Sequence, residues 1–503
     1  MHEGVAIGDQ VTLGDQSAVF PGVRIYPYKE VEYGAQIHES LIWESRGTTR
    51  VFAQDGVVGL VNVDLTPEVA IRFGAALGTS LKRGARVVAS RESAPAYRMI
   101  KRALISGLSS TGVHVADLRT LPAPVGKHLM KTQGYDASFH VGASTTDPEA
   151  VQIRLFERPG VALSTAMQKE IEKHFTRQEL RRVPFGAVGS IGYPARAREG
   201  YASDLLGDLD VAAIRARDFR IVVDYGYSAG SYVLPLVLGP LGVEAITAHA
   251  FESDLGSAPV RIAETIDQAR RLVPAVEASF GAVFDRSAER IFLIDEAGRE
   301  IRPDQALLLF LHLIGMKGPG TVAVPITATS QVEEVVGGKL DVVRTPASLS
   351  GLTEAAASDG VIFAGAPGGG FVFPAFLPAY DAIASLCKLL ELLATAEEQP
   401  MSRLVAELPR PTLIHRQVQC PWALKGTVMR VLNERYSDGN VDVTDGIKIF
   451  DDRGWVQVLP DADEPVIHLY AEGETTADSE DLESELRTLV TDVIEREEIG
   501  ARS

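Results

Sequence analysis

The chain has 503 residues, which is too long for a single hydrophobic core and favours three or four domains. Hydrophobic residues make up 46% of it and charged residues 23%, the composition of a globular protein. The formal net charge of −18 argues against nucleic acid and anionic membrane surfaces as partners, and we expect neither.

The two cysteines, Cys387 and Cys420, form no CxxC motif, so we expect neither a disulfide framework nor a structural zinc site. The N-terminus has no basic segment leading into a long apolar run, so we expect no signal peptide and a cytoplasmic location. The most apolar stretch, 306–315, is too short to span a bilayer and predicts a buried helix.

The first forty residues repeat with a period of six. One register of this repeat carries Ile7, Leu13, Val19, Ile25, Val31 and Ile37. Such residues would point into the axis of a parallel β-helix while Gly-Asp pairs turn its corners. The pattern resembles a left-handed β-helix of about two coils over residues 1–45; a run of ordinary alternating strands is the other interpretation. A stack this short needs support from the next domain or another subunit.

Beyond residue 50 a strand–helix–strand order recurs three times, at 85–118, at 220–246 and from 361 onwards. Strands separated by helices of about ten to fifteen residues predict βαβ units on mostly parallel sheets. The segment 444–473 instead predicts antiparallel strands, and a final helix follows with Leu482, Leu486, Leu489, Val493 and Ile494 on one face. The fold class is therefore α/β: three similar α/β/α domains, then a C-terminal α+β domain.

This layout resembles the α-D-phosphohexomutase superfamily, which includes phosphomannomutases and phosphoglucomutases. The amino-acid sequence itself resembles that of the family at 90–125, 222–230, 371–394 and 444–472. The resemblance implies a β-helix stub at 1–45 and domains at 46–184, 185–297, 298–408 and 409–503. A β-helix followed by such domains resembles the C-terminal part of bacterial mannose-1-phosphate guanylyltransferase/phosphomannomutase fusion proteins.

In this family a phosphoserine passes its phosphoryl group to a sugar beside a magnesium ion, so four loops bring ligands and positive charge together. The phosphoserine loop, T-A-S-H-N-P in the family, reads GASTTDPE at 142–149. The resemblance implies that Ser144 is the catalytic nucleophile. With the loop in a shifted register, Thr145 or Thr146 would take that place.

The metal loop, D-G-D-G-D-R in the family, reads DRSAER at 285–290. The resemblance implies Asp285, Ser287 and Glu289 as Mg²⁺ ligands and Arg290 as a substrate contact. Loss of one carboxylate and the arrival of Arg286 weaken a site that prefers hard oxygen ligands. We interpret the stretch as an exposed loop in which Arg286 and Arg290 neutralise the two carboxylates.

The sugar loop, G-E-x-S-G in the family, reads GAPGGG at 365–370. The resemblance implies substrate contacts at Gly368, Gly369 and Gly370, where backbone N–H groups alone remain to bind an anion. Plain loop flexibility is the interpretation that we favour for these glycines.

The phosphate loop, R-x-S-G-T-E-P in the family, reads LPDADEP at 459–465 and implies substrate contacts at Asp461, Asp463 and Glu464. Two carboxylates that face a dianion would repel it. The family's F-G-T-D-G-I-R-G opening similarly reads FAQDGVVG at 52–59, with Val58 in place of the arginine.

Three functional hypotheses follow. The first is a magnesium-dependent phosphohexomutase of sugar-phosphate or sugar-nucleotide metabolism, with a sugar phosphate as ligand and activity that is weak or lost. The second is a non-catalytic binding or scaffold module that partners a mannose-1-phosphate guanylyltransferase through the β-helix, or self-associates. The third, a hexapeptide acyltransferase, is disfavoured because two coils cannot form its intersubunit site.

Overall fold

The computed structural model describes the chain except for residues 1, 9–10, 27–28, 32–33, 39, 41–45, 48–50, 54–55, 145–149, 252–260, 437–438, 463 and 503. Within the described residues, no helix combines the length and the apolar character that crossing a bilayer requires.

Short parallel strands form a coil at the N-terminus. They are β1 (Ala6–Ile7), β2 (Thr12–Leu13), β3 (Ala18–Val19), β4 (Arg24–Ile25), β5 (Glu30–Val31), β6 (Gln36–Ile37) and β7 (Arg46–Gly47). β1 pairs with β4, β2 with β5 and β3 with β6, so each partner lies three hexads further along the chain. Val19, Ile25, Val31 and Ile37 are buried in a small core of their own, as their six-residue spacing predicts.

The first α/β unit is a seven-stranded mixed sheet covered by helices. Its elements are β8 (Val57–Leu60), α1 (Pro67–Ser80), β9 (Arg86–Arg91), α2 (Pro95–Ser110), β10 (His114–Thr120), α3 (Ala123–Gln133), β11 (Ala137–Ala143), β12 (Ala150–Glu157), β13 (Val161–Ala162), α4 (Thr165–Arg177) and β14 (Ile191–Gly192). The strand order is β13-β12-β11-β9-β10-β14, with β8 also paired to β12. β11, β9, β10 and β14 are parallel, and β12 runs antiparallel to β11.

The second unit contains a five-stranded sheet in the order β16-β15-β17-β18-β19. Its elements are α5 (Ala197–Gly207), α6 (Val211–Arg215), β15 (Arg220–Asp224), α7 (Pro235–Leu241), β16 (Glu244–Ala248), α8 (Ile262–Ala275), β17 (Phe280–Phe284), β18 (Ile291–Asp295) and β19 (Glu300–Ile301). β15, β16 and β17 are parallel, whereas β18 and β19 complete the sheet in antiparallel register.

The third unit has a four-stranded sheet in the order β21-β20-β22-β23, in which only β23 is antiparallel. Its elements are α9 (Pro303–Lys317), β20 (Gly320–Pro325), α10 (Gln331–Val336), β21 (Leu340–Thr345), α11 (Leu349–Ala356), β22 (Val361–Ala366), β23 (Gly370–Val372), α12 (Ala382–Thr395) and α13 (Met401–Ala406). Helix α9 contains the apolar stretch 306–315 and is buried in a core that it shares with α3, α5, α7 and α12.

The C-terminal unit is a five-stranded antiparallel sheet in the order β24-β28-β27-β26-β25, as the sequence predicts for 444–473. Its elements are β24 (Ile414–Gln419), α14 (Trp422–Arg435), β25 (Val441–Asp442), β26 (Ile447–Asp451), β27 (Gly454–Pro460), β28 (Val466–Gly473) and α15 (Thr476–Arg502). Of the predicted face of α15, Leu482 is buried, Leu486, Val493 and Ile494 are buried in the core of this sheet, and Leu489 is partly buried against that core.

Candidate functional site

The four loops singled out in the sequence occupy the same kind of position. Each connects two antiparallel strands: 144–149 connects β11 to β12, and 285–290 connects β17 to β18. Likewise 367–369 joins β22 to β23, and 461–465 joins β27 to β28. Each of the four units therefore contributes one such connection.

Backbone contacts hold the second and third loops together. Arg290 forms a bridge with Gly370, and the N–H of Ile291 donates to the carbonyl oxygen of Gly369 at 2.9 Å. The N–H of Ala382, at the start of α12, donates to the carbonyl oxygen of Ala288 at 3.0 Å. The two turns therefore form one rigid wall of a cleft.

Ser144 lies directly after β11 and is 9% exposed. Its N–H donates to the carbonyl oxygen of Ala150 at 3.1 Å, which extends the hairpin by one pair. Thr145 and Thr146, the alternative nucleophiles, lie outside the described residues. Of the three candidate nucleophiles, the structure thus describes Ser144, which lies at the end of β11.

Asp285 organises the backbone of its own turn. Its Oδ1 accepts hydrogen bonds from the N–H groups of Glu289 at 2.8 Å and Arg290 at 3.1 Å, and its Oδ2 accepts from the Ser287 hydroxyl at 2.9 Å. Ala288 has φ 56°, a left-handed conformation that favours glycine. The Asp285 carboxylate thus acts as the internal brace of a tight turn.

Glu289 is paired with two cations from the first unit. Its Oε1 accepts from Nζ of Lys127 on α3, and its Oε2 accepts from the Arg154 guanidinium on β12. Our expectation that Arg286 and Arg290 neutralise Asp285 and Glu289 in an exposed loop is wrong. The turn is buried between units, Ser287 and Glu289 being 7% and 3% exposed, so tertiary packing chooses the partners.

Arg286 instead faces Glu92, at 3.6 Å from Nε to Oε2. Glu92 also accepts from the N–H of Ala143, directly before Ser144, at 3.2 Å. Burial raises the pKa of Glu92 to about 7, an effect that Arg286 opposes. Beside it, burial and the neighbouring Arg154 hold the pKa of His140 well below its usual range. This buried cluster lies under the Ser144 hairpin.

The residues of the 285–290 turn do not fit a magnesium ion. Both oxygens of Glu289 face cations, and both oxygens of Asp285 accept hydrogen bonds within the turn. Mg²⁺ would need these oxygens and would enter beside the positive charges of Lys127 and Arg154. In the described part of the chain no three His, Cys, Asp or Glu side chains are grouped so that they could hold a metal.

Close packing requires two of the three glycines at 368–370, so our interpretation of the loop as flexible is wrong for Gly369 and Gly370. Gly369 has φ 81°, and a Cβ added there would lie 2.6 Å from the carbonyl oxygen of Ile291. A Cβ on Gly370 would strike the Tyr380 ring, whereas one on Gly368 would meet nothing within 4 Å. Gly368 and Gly370 line the cleft.

The 461–465 turn is folded back onto the C-terminal unit. Lys425 donates to the carbonyl oxygens of Asp461, at 2.6 Å, and of Glu464. The Asp461 carboxylate accepts from the Glu464 N–H at 2.7 Å and bonds Nε2 of His468 at 2.8 Å. Our argument that this carboxylate faces and repels a dianion is therefore wrong for Asp461. Asp463 lies outside the described residues.

A cavity of about 510 Å³ lies where the second, third and C-terminal units meet. Its polar lining includes Arg290, Arg302, Asp304, His415 and Tyr470. Arg302 forms an ion pair with Asp304, but in the part of the chain that the structure describes Arg290 has no acidic partner. The cavity thus offers one uncompensated guanidinium to an anionic ligand.

Two buried charged groups attach the C-terminal unit to the third unit. The carboxylate of Glu472 accepts from the hydroxyl and N–H of Ser330 at 2.7 Å, from Thr329 Oγ1 and from Trp455 Nε1. Lys448 donates to the carbonyl oxygen of Ile326 at 2.8 Å and lies 3.4 Å from the Trp455 ring centroid. These contacts hold one wall of the cavity in place.

Sequence reasoning missed the two cations that pair with Glu289, a residue that the resemblance implies as a metal ligand. Lys127 lies within the buried run 123–130 of helix α3, and Arg154 lies in the mostly buried strand β12, so each is a charge inside a buried pattern. A buried charge of this kind signals a partner, because an unpaired one would be very costly. Its partner, Glu289, is distant in sequence, and no local pattern identifies it.

Models of a known protein family match most of the chain. The model described as phosphoglucomutase/phosphomannomutase, alpha/beta/alpha domain I, matches residues 49–182. The corresponding models for domains II and III match residues 199–298 and 302–412.

Individual proteins are similar over nearly their whole length. A probable phosphoglucosamine mutase of Methanopyrus kandleri is 32% identical over 457 residues, covering 89% of this chain and 98% of that protein. A phosphoglucomutase/phosphomannomutase of Thermococcus kodakarensis is 30% identical over 437 residues, covering 85% and 95%. Among solved structures, a phosphoglucomutase/phosphomannomutase family protein of Burkholderia thailandensis has the same fold, with a TM-score of 0.76 and 19% identity over 88% of this chain and 97% of that one.

Proposed function

Because the chain belongs to the phosphoglucomutase/phosphomannomutase family, we propose that it binds a hexose phosphate in its cleft while metal-dependent phosphoryl transfer is weak or lost. One observation carries this proposal: Lys127 and Arg154 occupy both oxygens of Glu289. A carboxylate already paired with two cations has little free energy to gain from Mg²⁺.

The cavity supports the ligand class. Arg290 supplies a fixed positive charge, and the turn with Gly368 presents backbone to the same space. Guanidinium groups and backbone N–H groups are the usual partners of a phosphate. The names of the relatives, phosphoglucosamine mutase and phosphoglucomutase/phosphomannomutase, support hexose and hexosamine phosphates as the compounds to test.

Calorimetry tests the metal part of the proposal. Titration of Mg²⁺ into the full chain should give no binding heat, and Asp285→Ala should behave in the same way. Intact-mass analysis of protein purified from cells should find no phosphate on Ser144 or its neighbours. A phosphorylated protein that passes its phosphoryl group to glucose 1-phosphate or mannose 1-phosphate would overturn the proposal.

Thermal shift tests the binding part. Glucosamine 6-phosphate, glucose 6-phosphate and mannose 6-phosphate should each be compared with glucose, and at least one phosphate should raise the melting temperature without Mg²⁺. Arg290→Gln should reduce this shift. Failure of all the sugar phosphates to stabilise the protein would contradict a binding function.

A scaffold role is a second candidate, favoured by the N-terminal coil. The coil has its own apolar core, from Val19 to Ile37, and none of its described residues lines the cavity. We propose that it is a left-handed β-helix that docks a guanylyltransferase or a second copy of the chain. Deletion of residues 2–45 should then abolish co-elution with that partner and leave the sugar-phosphate thermal shift unchanged.

A further inference from the structure

Three side chains form a hydrogen-bonded row at the C-terminal end of the cavity. Asp461 Oδ2 lies 2.8 Å from Nε2 of His468, and Nδ1 of His468 lies 2.9 Å from Nε2 of His415. The His415 ring stacks on Tyr470, with centroids 4.4 Å apart and planes at 10°. His415 and Tyr470 line the cavity, while Asp461 lies at the far end of the row.

The protons of the row follow from its chemistry. An ionised carboxylate only accepts, so Nε2 of His468 carries a proton that it donates to Asp461. Neutral His468 then accepts at Nδ1, and His415 must donate from Nε2. This assignment leaves Nδ1 of His415 without a proton. One further proton at that atom makes His415 cationic and breaks no bond in the row.

The surroundings oppose this charge until an anion arrives. Burial, then His468 and Arg416, lower the pKa of His415. Arg290 and Arg302 line the same cavity and add positive charge, whereas Asp304 is committed to Arg302. Burial raises the pKa of Tyr470 to about 12, so this phenol stays neutral. Among the residues that the structure describes, Asp461 is the acid hydrogen-bonded to the row, and it stabilises the protonated form through His468.

We propose that the Asp461–His468–His415 row is a proton-accepting anion subsite, which takes up one proton when a tetrahedral anion binds in the cavity beside His415. The proton comes from solvent and adds to Nδ1 of His415, so no covalent bond to the ligand forms or breaks. This inference rests on the proposed function, because it concerns the same cavity and a phosphate-bearing ligand.

Linkage sets the direction of the pH effect. A bound anion raises the pKa of His415 above its value in the free protein, so binding strengthens as pH falls through that range. Phosphate esters also titrate near pH 6, which would obscure the effect. Inorganic sulfate and glucose 6-sulfate keep a constant charge, and they are the probes for the measurement.

Calorimetry at pH 5.5 and pH 8 should show about tenfold tighter binding of sulfate at the lower pH, because protonated His415 adds a positive charge beside the anion. Buffers of different ionisation enthalpy should report uptake of up to one proton per anion. His415→Gln should abolish both effects. Asp461→Asn should shift the pH dependence to lower pH, while His114→Gln, an exposed histidine outside the cavity, should change neither.

The outcomes separate this inference from the proposed function. Sulfate and glucose 6-sulfate binding with the same affinity at both pH values, or with no proton uptake, would overturn the subsite and leave the proposed function standing. Phosphoryl transfer from Ser144 would overturn the proposed function and leave the linkage intact. No binding of any anion at either pH would overturn both.

Discussion

Lys127 of α3 and Glu289 of the β17–β18 turn form an ion pair between two α/β units, with side-chain exposures of 2% and 4%. Arg154 joins the same carboxylate from β12. The pair stands where the sequence resemblance places a metal ligand. An internal cation therefore links the units and removes the oxygens that a divalent ion would need.

Replacing Lys127 with Met should destabilise the protein by about 3–5 kcal/mol, because the buried Glu289 carboxylate loses one of its two partners. The double variant Lys127→Met/Glu289→Gln should recover part of this loss. Chemical denaturation of the four proteins of the cycle measures the coupling.

Lys82→Met is the matched control, since Lys82 pairs with Asp136 at 3.4 Å on the surface with its own side chain 77% exposed. Its effect should stay below about 1 kcal/mol. Strictly additive effects of the Lys127 and Glu289 substitutions would show that the ion pair contributes nothing specific.

Gly369→Ala should lower the stability by about 1 kcal/mol or more, because of its left-handed φ and the nearby Ile291 carbonyl oxygen. Gly368→Ala, one residue earlier and with open space around its Cα, should be nearly neutral. Thermal melting of the two variants makes the comparison. Equal effects would mean that the two glycines serve flexibility alone.

Burial lowers the pKa of Lys448 to about 7 from its usual 10.5. Between these values the unfolded chain holds more protons at this group than the folded chain. The free energy of unfolding therefore rises with pH across this range, and the gain is lost again as pH falls from 10.5 to about 7. Lys448→Met should remove that contribution. The difference in melting temperature between variant and wild type, measured from pH 6 to pH 10, should therefore shift steadily in favour of the wild type. A difference independent of pH would contradict the assignment.

Glu472→Gln should loosen the contact between the third and C-terminal units. The substitution replaces one carboxylate oxygen with an NH2 group, which would face the hydrogen-bond donors of Thr329, Ser330 and Trp455. Limited proteolysis should then cut more rapidly between α13 and β24. Glu474→Gln, an exposed residue two positions along, is the control. Unchanged cleavage in the Glu472 variant would assign the contact to apolar packing.

The hexad spacing, the alternation of strands with helices and the apolar face of α15 predicted the elements that the structure contains. These features are readable because they repeat at the period of a local backbone geometry, 2 or 3.6 residues or one hexad. The buried helix at 306–315 could also be predicted from the sequence, because its residues are apolar almost without interruption.

Tertiary structure alone decided the charge partners. From the sequence, Arg286 was the natural neighbour of Asp285 and Glu289, yet burial of the turn gave Glu289 to Lys127 and Arg154, and Arg286 to Glu92. Asp461 likewise turned toward His468 because Lys425 holds its loop back. Hydrophobic periodicity depends on where each residue lies along its own strand or helix, so it can be read from the sequence alone. An ion pair depends on which surfaces meet after folding, and both partners of Glu289 are more than a hundred positions from it in sequence.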